Sequence, residues 1–170
     1  MNPRIEVLKG DITQLDVDAI VNAANSSLIG SSGVAAAIQR AAGPKMIPAL
    51  RALGGCDVGD AKITPGFQLP AKYVIHTVGP VWYGGDRGED EALANCYRRS
   101  LALAAKHGIR TIAFPAISTG VYRFPPERAA QIAVREVQTA LASSTVIDTV
   151  YLVGFDDRTV ELYQSYLTSR

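Results

Sequence analysis

The chain has few of the side chains that hold metals or covalent cross-links. Its 170 residues include two cysteines and two histidines. Cys56 and Cys96 are far apart in the sequence, and neither belongs to a CxxC pair or to a Cys/His cluster. Structural zinc sites and disulfide frameworks need closely spaced or paired ligands. We therefore expect no metal, no disulfide and no bound cofactor, and we interpret Cys96 as a small core residue of a helix.

Long apolar runs and concentrated charge are also missing. No uninterrupted apolar run approaches the roughly 20 residues of a membrane span, and no signal-like apolar core follows Met1. Lys and Arg total 17 against 16 Asp and Glu, and no basic run is longer than Arg98-Arg99. A nucleic-acid footprint needs a denser patch of positive charge. The sequence therefore predicts a cytoplasmic protein that binds neither membranes nor nucleic acid.

The motifs of several common hydrolases are absent. There is no Gly-x-x-x-x-Gly-Lys-Ser/Thr loop and no metal-carboxylate motif, which disfavours a P-loop phosphohydrolase. His76 lies in a strand-like run, and His107 beside Gly108 is typical of a helix C-terminus. Neither histidine has a matched Ser or Cys in a recognisable triad motif. A Ser or Cys triad hydrolase is therefore disfavoured as well.

The apolar residues that are present alternate between strand and helix patterns. With 48% hydrophobic residues, the chain has ample material for the core of one domain. Periodicity predicts strands at 5–8, 19–23, 61–64, 73–78, 111–117 and 149–153. It predicts helices at 34–42, 45–53, 89–107, from 126 and from 157. This alternation is typical of the α/β class, with a mostly parallel sheet covered by helices on both faces.

Two loops rich in Gly and Ser each join a buried strand to a helix. The first loop, residues 25–34, precedes a helix that Gly43-Pro44 ends. The second loop, residues 118–122, reads Ser-Thr-Gly-Val-Tyr and precedes a helix opened by Pro126. Backbone N–H groups of such loops and helix N-termini attract phosphate, although one such loop alone could equally be a plain turn. In a parallel sheet both loops lie at the carboxyl edge, so we expect them to hold a diphosphate together.

Several motifs, in order along the chain, resemble those of the macrodomain family, in particular its bacterial MacroD-type branch. They are Gly10-Asp11-Ile12-Thr13, Val17 to Asn25, Gly30-x-x-Gly33-Val34, Arg40-Ala41-Ala42-Gly43, His76 to Pro80, and Phe114 to Tyr122. The resemblance covers nearly the whole chain and implies a single macrodomain over residues 1–170. It also implies a three-layer α/β/α fold around a six-stranded mixed sheet, with a cleft for ADP-ribose. We expect the first strand to be the antiparallel member.

The resemblance further implies the residues that would contact ADP-ribose. Asp11, with the backbone of Ile12, looks like the acceptor for the adenine amine; the alternative is a turn residue after Gly10. Asn25 looks like a ligand of the distal ribose; the alternative is a loop Asn with unusual backbone geometry. Phe155 resembles an aromatic residue that packs on adenine; the alternative is ordinary core at a strand end.

The two loops would hold the diphosphate and distal ribose, with Tyr122 closing over the ribose. The residues implied there are Gly30, Ser31, Ser32, Gly33 and Val34 in the first loop and Ser118, Thr119, Gly120, Val121 and Tyr122 in the second. Ser31 and Ser32 replace glycines of the MacroD pattern. Their Cβ atoms could narrow the approach of the diphosphate, or their hydroxyls could donate to it.

The sequence departs from the branch where chemistry is concerned. The loop Asp that MacroD-type hydrolases usually carry is Ala35, and their His is Gln39. Alanine cannot orient or deprotonate water. Related branches with Gly-Val-Ala at this point include hydrolases in which ligand phosphate, loop backbone and the Asn hold the water, which would give Asn25 and Gly33 the catalytic role.

Three activities remain open for such a cleft. We favour a hydrolase that removes ADP-ribose from mono-ADP-ribosylated proteins or deacetylates O-acetyl-ADP-ribose, because the rest of the cleft is intact. A non-catalytic module that only binds ADP-ribose is the alternative. A phosphatase acting on ADP-ribose 1″-phosphate would use the same cleft.

Overall fold

The fold is a six-stranded sheet with five α-helices, in a computed structural model that describes residues 4–30 and 32–168. The strands are β1 (Arg4–Lys9), β2 (Ala19–Ala24), β3 (Ala61–Pro65), β4 (Tyr73–Val78), β5 (Thr111–Pro115) and β6 (Thr149–Gly154). The helices are α1 (Gly33–Ala42), α2 (Met46–Leu53), α3 (Glu89–Lys106), α4 (Pro126–Ser143) and α5 (Asp157–Thr168), with a 3₁₀ turn at Ile12–Gln14. Every predicted strand and helix is present, with ends that differ by one or two residues.

The strands lie in the order β1-β6-β5-β2-β4-β3, and only the β3–β4 pair is antiparallel among the described strands. The prediction that the first strand is the antiparallel one is therefore wrong. β1 runs parallel to β6, from Arg4 opposite Thr149 to Lys9 opposite Gly154. β3 is antiparallel because the chain between β3 and β4 is too short for a crossover helix and turns back directly.

The sheet has a separate apolar core on each face. In β2, Ala19 and Val21 face the helices α3, α4 and α5, whereas Ile20 and Ala24 face α1 and α2. Successive side chains of a strand point to opposite faces, and β2 is central, so both sets are fully covered. These cores confirm the three-layer α/β/α arrangement. Cys96 lies in the α3 side of the core and is fully buried, as predicted.

Helix α1 begins and ends at glycines that no other residue would replace without strain. Gly33 starts the helix at φ 64°, and Gly43 ends it at φ 89°. A Cβ at Gly43 would also lie 2.7 Å from the Gln68 side chain. The left-handed region and the close approach both favour glycine. Gly33 therefore fixes where the first loop meets α1, and Gly43 fixes where α1 ends.

Among the helices of residues 4–30 and 32–168, none combines the length and apolar character needed to cross a membrane.

Candidate ligand-binding site

The loops singled out in the sequence meet at one edge of the sheet. The parallel strands β1, β6, β5 and β2 are neighbours in that order, so the segments that follow their carboxyl ends lie side by side. Along the edge these segments are Asp11 after β1, Phe155 after β6, the second loop after β5 and the first loop after β2. The carboxyl edge of an open α/β sheet is the usual place for a ligand.

The Asp11 carboxylate is held by its own turn through one oxygen. Oδ1 accepts hydrogen bonds from the Thr13 backbone N–H at 2.9 Å and from the Thr13 hydroxyl at 2.7 Å. The side chain is exposed, and its Oδ2 has no hydrogen-bond partner among the described residues. Asp11 is thus a turn residue, the alternative considered above, and its second carboxylate oxygen is left available as an acceptor.

Phe155 stands next to Asp11 with its ring in solvent. Gly10, which precedes Asp11, donates its N–H to the Gly154 carbonyl at 3.2 Å, so the chain leaves β1 and β6 at adjacent points. The Phe155 side chain is 89% exposed, which excludes the alternative that it is core. An exposed aromatic ring beside a carboxylate can stack on a planar base whose amine the carboxylate accepts. Ile12, the residue after Asp11, is buried in the core.

The first loop places the N-terminus of α1, which has no side-chain cap, at the middle of the carboxyl edge of the sheet. Ser32 is the N-cap residue of α1, but its side chain makes no capping hydrogen bond. The first N–H groups of α1, at Gly33 and Val34, therefore lack the partner that a capping side chain would supply, and they lie at the positive end of the helix dipole. A Cβ at Gly30 would lie 2.6 Å from the Ala35 Cβ, so the loop can fold onto α1 only with glycine there. Ser31 lies outside the described residues.

Asn25 uses its side chain inside the first loop. Its Nδ2 donates to the Ile29 carbonyl at 3.2 Å, and its Oδ1 accepts from the Ser27 hydroxyl at 2.8 Å. Its backbone φ is not in the left-handed region; the non-glycine residue that adopts it here is Leu28, at φ 71°. The unusual-backbone alternative for Asn25 is therefore wrong, and the amide has a structural task that the sequence did not indicate.

The second loop is a strained turn with an open face. Ser118 and Arg123 both have positive φ, 67° and 63°. The Phe124 N–H donates to the Ser118 carbonyl at 2.9 Å, which closes the loop. Strained backbone of this kind clusters at ligand sites. A Cβ at Gly120 would meet no atom within 4 Å, so the backbone there is open to an approaching ligand.

The side chains of the second loop range from buried to almost fully exposed. Ser118 is buried, Thr119 and Tyr122 are half-buried, and Val121 is 87% exposed. All four belong to the loop between β5 and α4, beside the first loop that follows β2.

Comparison with known proteins decides the family. The Macro domain family model matches residues 21–133. A macro domain-containing protein of Chlorobaculum tepidum is 57% identical over 168 residues, covering 99% of this chain and 98% of that protein. The chain belongs to the macrodomain family. A Salmonella newport protein named O-acetyl-ADP-ribose deacetylase is 51% identical over 174 residues, covering 100% of this chain and 97% of that protein.

Solved macrodomain structures have the same fold. The Oceanobacillus iheyensis macrodomain with ADP superposes with a TM-score of 0.94 at 40% identity, covering 98% of this chain and 90% of that one. The Trypanosoma brucei macrodomain in complex with ADP-ribose superposes with a TM-score of 0.90 at 40% identity, covering 96% of this chain and 68% of that one.

Neither of the two loops of this macrodomain carries an acidic or basic side chain of its own. Ala35 is 6% exposed, and one turn further along α1 the Gln39 Nε2 is buried, with no hydrogen-bond partner among the residues that the structure describes. Residues 25–34 and 118–122 contain no Asp, Glu or His. Across residues 4–30 and 32–168 there is also no cluster of three potential metal ligands. The groups that these two loops themselves supply are therefore backbone, amide and hydroxyl groups.

The contact between the second loop and the chain that follows β4 was not recognised from the sequence, although His76 to Pro80 was noted as a motif. The chain between β4 and α3 approaches the macrodomain's second loop, and the Trp82 N–H donates to the Tyr122 carbonyl at 2.8 Å. The signal available in the sequence was the glycine at position 79, which follows a buried strand that neighbours β2. Recognising its contact with the second loop required knowing the strand order.

Proposed function

We propose that this macrodomain binds ADP-ribose along the carboxyl edge of its sheet. Adenine lies between the free Asp11 oxygen and the exposed Phe155 ring, and the diphosphate lies over the N-terminus of α1. The distal ribose lies between the second loop, under Tyr122, and Asn25. The supporting observation is the order of these groups: an amine acceptor and a stacking ring at one end, and uncapped helix N–H groups two strands further on.

We further propose that the bound ligand is turned over by ester hydrolysis. Water attacks the ester that links the distal ribose to an acetyl group or to an acidic side chain, releasing ADP-ribose and a carboxylic acid. The deacetylase name of a relative at 51% identity supports this class of reaction. Because the loops hold no general base, the ligand phosphate and the backbone near Gly33 position the water, and Asn25 orients the ribose.

A non-catalytic binding module is the second candidate, and Ala35 is the observation that favours it. A site without a carboxylate can bind ADP-ribose as well as one that has it, since the diphosphate contacts come from the backbone. Mono-ADP-ribosylated proteins would then be partners rather than substrates.

Calorimetry followed by turnover assays tests the proposal. ADP-ribose and ADP are titrated into the wild type, which is then incubated with O-acetyl-ADP-ribose, with a protein mono-ADP-ribosylated on an acidic residue, and with ADP-ribose 1″-phosphate. Binding with release of ADP-ribose from either ester supports the hydrolase. Binding without turnover selects the module, release from the phosphate alone selects a phosphatase, and absence of binding refutes the ligand.

A further inference from the structure

The chain between β4 and α3, residues 79–89, packs directly against the second loop; we call it the β4–α3 segment. Its first residue, Gly79, lies under Ser118. A Cβ at Gly79 would be 2.1 Å from the Ser118 Oγ and 2.7 Å from the Ile117 Cγ2. Ser118 is buried and left-handed at this point. Ser118, the strained first residue of the second loop, therefore packs against the β4–α3 segment.

Trp82 makes the second connection. Besides the 2.8 Å hydrogen bond from its backbone N–H to the Tyr122 carbonyl, its ring packs on Phe124 with the centroids 4.8 Å apart. Arg128 of α4 covers the same indole at 5.3 Å from its centroid. The backbone of Tyr122, the residue proposed to close over the distal ribose, therefore has its carbonyl fixed by this segment.

Glu89 holds the rest of the segment in place. Its carboxylate accepts three backbone N–H groups, from Tyr83 at 2.9 Å, Gly85 at 2.9 Å and Arg87 at 2.6 Å. The side chain is 2% exposed and has no salt-bridge partner among the described residues. Burial works to raise the pKa of this carboxyl, but hydrogen bonds from the backbone of Tyr83, Gly85 and Arg87, and from its own backbone, outweigh it and lower the pKa to about 2. The carboxylate is thus charged at neutral pH and satisfied by the segment alone.

We propose that Glu89 is a positioning residue for the distal-ribose end of the site: by holding the β4–α3 segment, it sets the second loop. The proposal rests on the proposed function. Without the carboxylate, Gly84 and Gly85, both at positive φ, lose their constraint, and the Trp82 contact to Tyr122 loosens. Asp11 and Phe155 follow β1 and β6, which β5 and β2 separate from β4 in the sheet, so we expect adenine recognition to stay intact.

Affinities for ADP and for ADP-ribose distinguish the two ends of the site, because ADP lacks the distal ribose. We expect Glu89→Gln to weaken ADP-ribose about 10-fold, the effect of about 1.4 kcal/mol, and ADP by less than about 2-fold. Glutamine keeps the size of the side chain but has only one acceptor oxygen, so it cannot accept all three N–H groups as the two carboxylate oxygens do. Calorimetric dissociation constants for both ligands and the melting temperature are measured for each variant.

Glu91→Gln is the matched control, because it removes the same charge from the same first turn of α3. Glu91 is exposed and pairs with Arg98 instead of the β4–α3 segment. We expect it to leave both affinities unchanged. Glu89→Asp keeps the charge on a shorter side chain. Its preference for ADP-ribose over ADP should fall between those of the wild type and Glu89→Gln. If Glu89→Gln does not fold, Glu89→Asp tests the proposal in its place.

If a folded Glu89 variant loses affinity for ADP-ribose and for ADP by the same factor, Glu89 has a general structural role and the proposal is overturned. The proposal is also overturned if neither affinity changes. A wild type that binds neither ligand contradicts the proposed function instead, so the two failures are distinguishable.

Discussion

At the scale of single residues, Asp11 provides the most direct test of the adenine end. Its Oδ2 has no partner among the described residues, whereas Oδ1 is held by Thr13. We expect Asp11→Ala to weaken ADP-ribose by about 1.5–3 kcal/mol, the size of a hydrogen bond to a charged group. ADP should weaken equally, because it carries the same adenine. Calorimetric titration of both ligands measures this.

The turn around Asp11 needs its own control. Thr13→Val removes the hydroxyl that donates to Oδ1 but leaves the carboxylate. If this variant loses as much affinity as Asp11→Ala, the loss comes from a looser turn. Wild-type affinity of Asp11→Ala for both ligands would exclude Asp11 from adenine binding.

Ala35 carries a prediction about rate. A general base contributes about 10²–10⁴-fold, so Ala35→Asp should accelerate ester hydrolysis while ADP-ribose affinity stays nearly unchanged. The added carboxylate would lie one helical turn from the Gln39 amide, whose Nε2 has no partner in the described part of the chain and can donate to it. Single-turnover release of ADP-ribose from an acidic-residue-linked substrate measures the effect.

Ala35→Asn is the control for shape, since it adds the same volume without a base and should not accelerate the reaction. A wild type already as fast as Ala35→Asp would show that the missing carboxylate is not limiting. That outcome would favour water held by the ligand phosphate and the loop backbone.

The role of Asn25 could be predicted from the sequence only in part. An amide at the end of β2 was predictable from the sequence, but the hydrogen bonds that it makes to Ile29 and Ser27 were not. Those bonds depend on how the loop folds back, which the left-handed conformation of Leu28 decides.

At the scale of an element, the second loop can be tested through Gly120. Its φ is not in the left-handed region, and a Cβ there meets nothing within 4 Å, so the fold has room for a side chain. We expect Gly120→Val to fold normally and to bind ADP-ribose about 10-fold more weakly or worse, because the bulk stands where the ligand approaches the backbone.

A graded series strengthens this test. Gly120→Ala adds a smaller group and should lose less affinity than Gly120→Val, with melting temperatures close to the wild type for both. Unchanged affinity in a folded Gly120→Val variant would remove the second loop from the site.

Element positions were more predictable than element pairings. The carboxyl-edge location of both loops followed from strand–loop–helix order, because parallel strands must end on one side. The direction of β3 could have been inferred from its short connection to β4, whereas the neighbour of β1 could not. β1 and β6 are at opposite ends of the chain, and no local pattern records their pairing.

At the scale of the whole molecule, a buried polar network joins three strands to α2. The Asn22 Nδ2 donates to the His76 Nδ1 at 3.0 Å, and the His76 Nε2 donates to the Thr64 hydroxyl at 2.9 Å. That hydroxyl contacts the Met46 Sδ at 3.6 Å. Burial lowers the pKa of His76 from 6.5 to about 4. The histidine is therefore a neutral core residue, and the fold depends on its remaining so.

This network predicts how stability changes with pH. At pH 7.5, well above the ordinary histidine pKa of 6.5, His76 is neutral in both the folded and unfolded states, and its contribution is fully present. As pH falls from 6.5 towards 4 the unfolded state binds a proton first, so we expect the free energy of unfolding to drop by about 2 kcal/mol between pH 7.5 and 5. Urea unfolding at each pH measures it.

The two histidines supply the control. His76→Gln should reduce the change of the unfolding free energy between pH 7.5 and 5. His107→Gln, at the exposed end of α3, should show the same change as the wild type. A wild type whose stability is constant between pH 7.5 and 5 would contradict a neutral buried His76.

The sequence by itself determined the elements, the two loops at their junctions and the family motifs. Helix and strand periods and the Gly43 stop each depend on residues a few positions apart, and such information is local. Only the tertiary structure decided that Phe155 stands exposed beside Asp11, that Asn25 is engaged within its own loop, and that Glu89 secures a segment under Ser118 and Tyr122. These facts depend on which strands are neighbours, and strand neighbours are chosen by contacts between residues far apart in the chain.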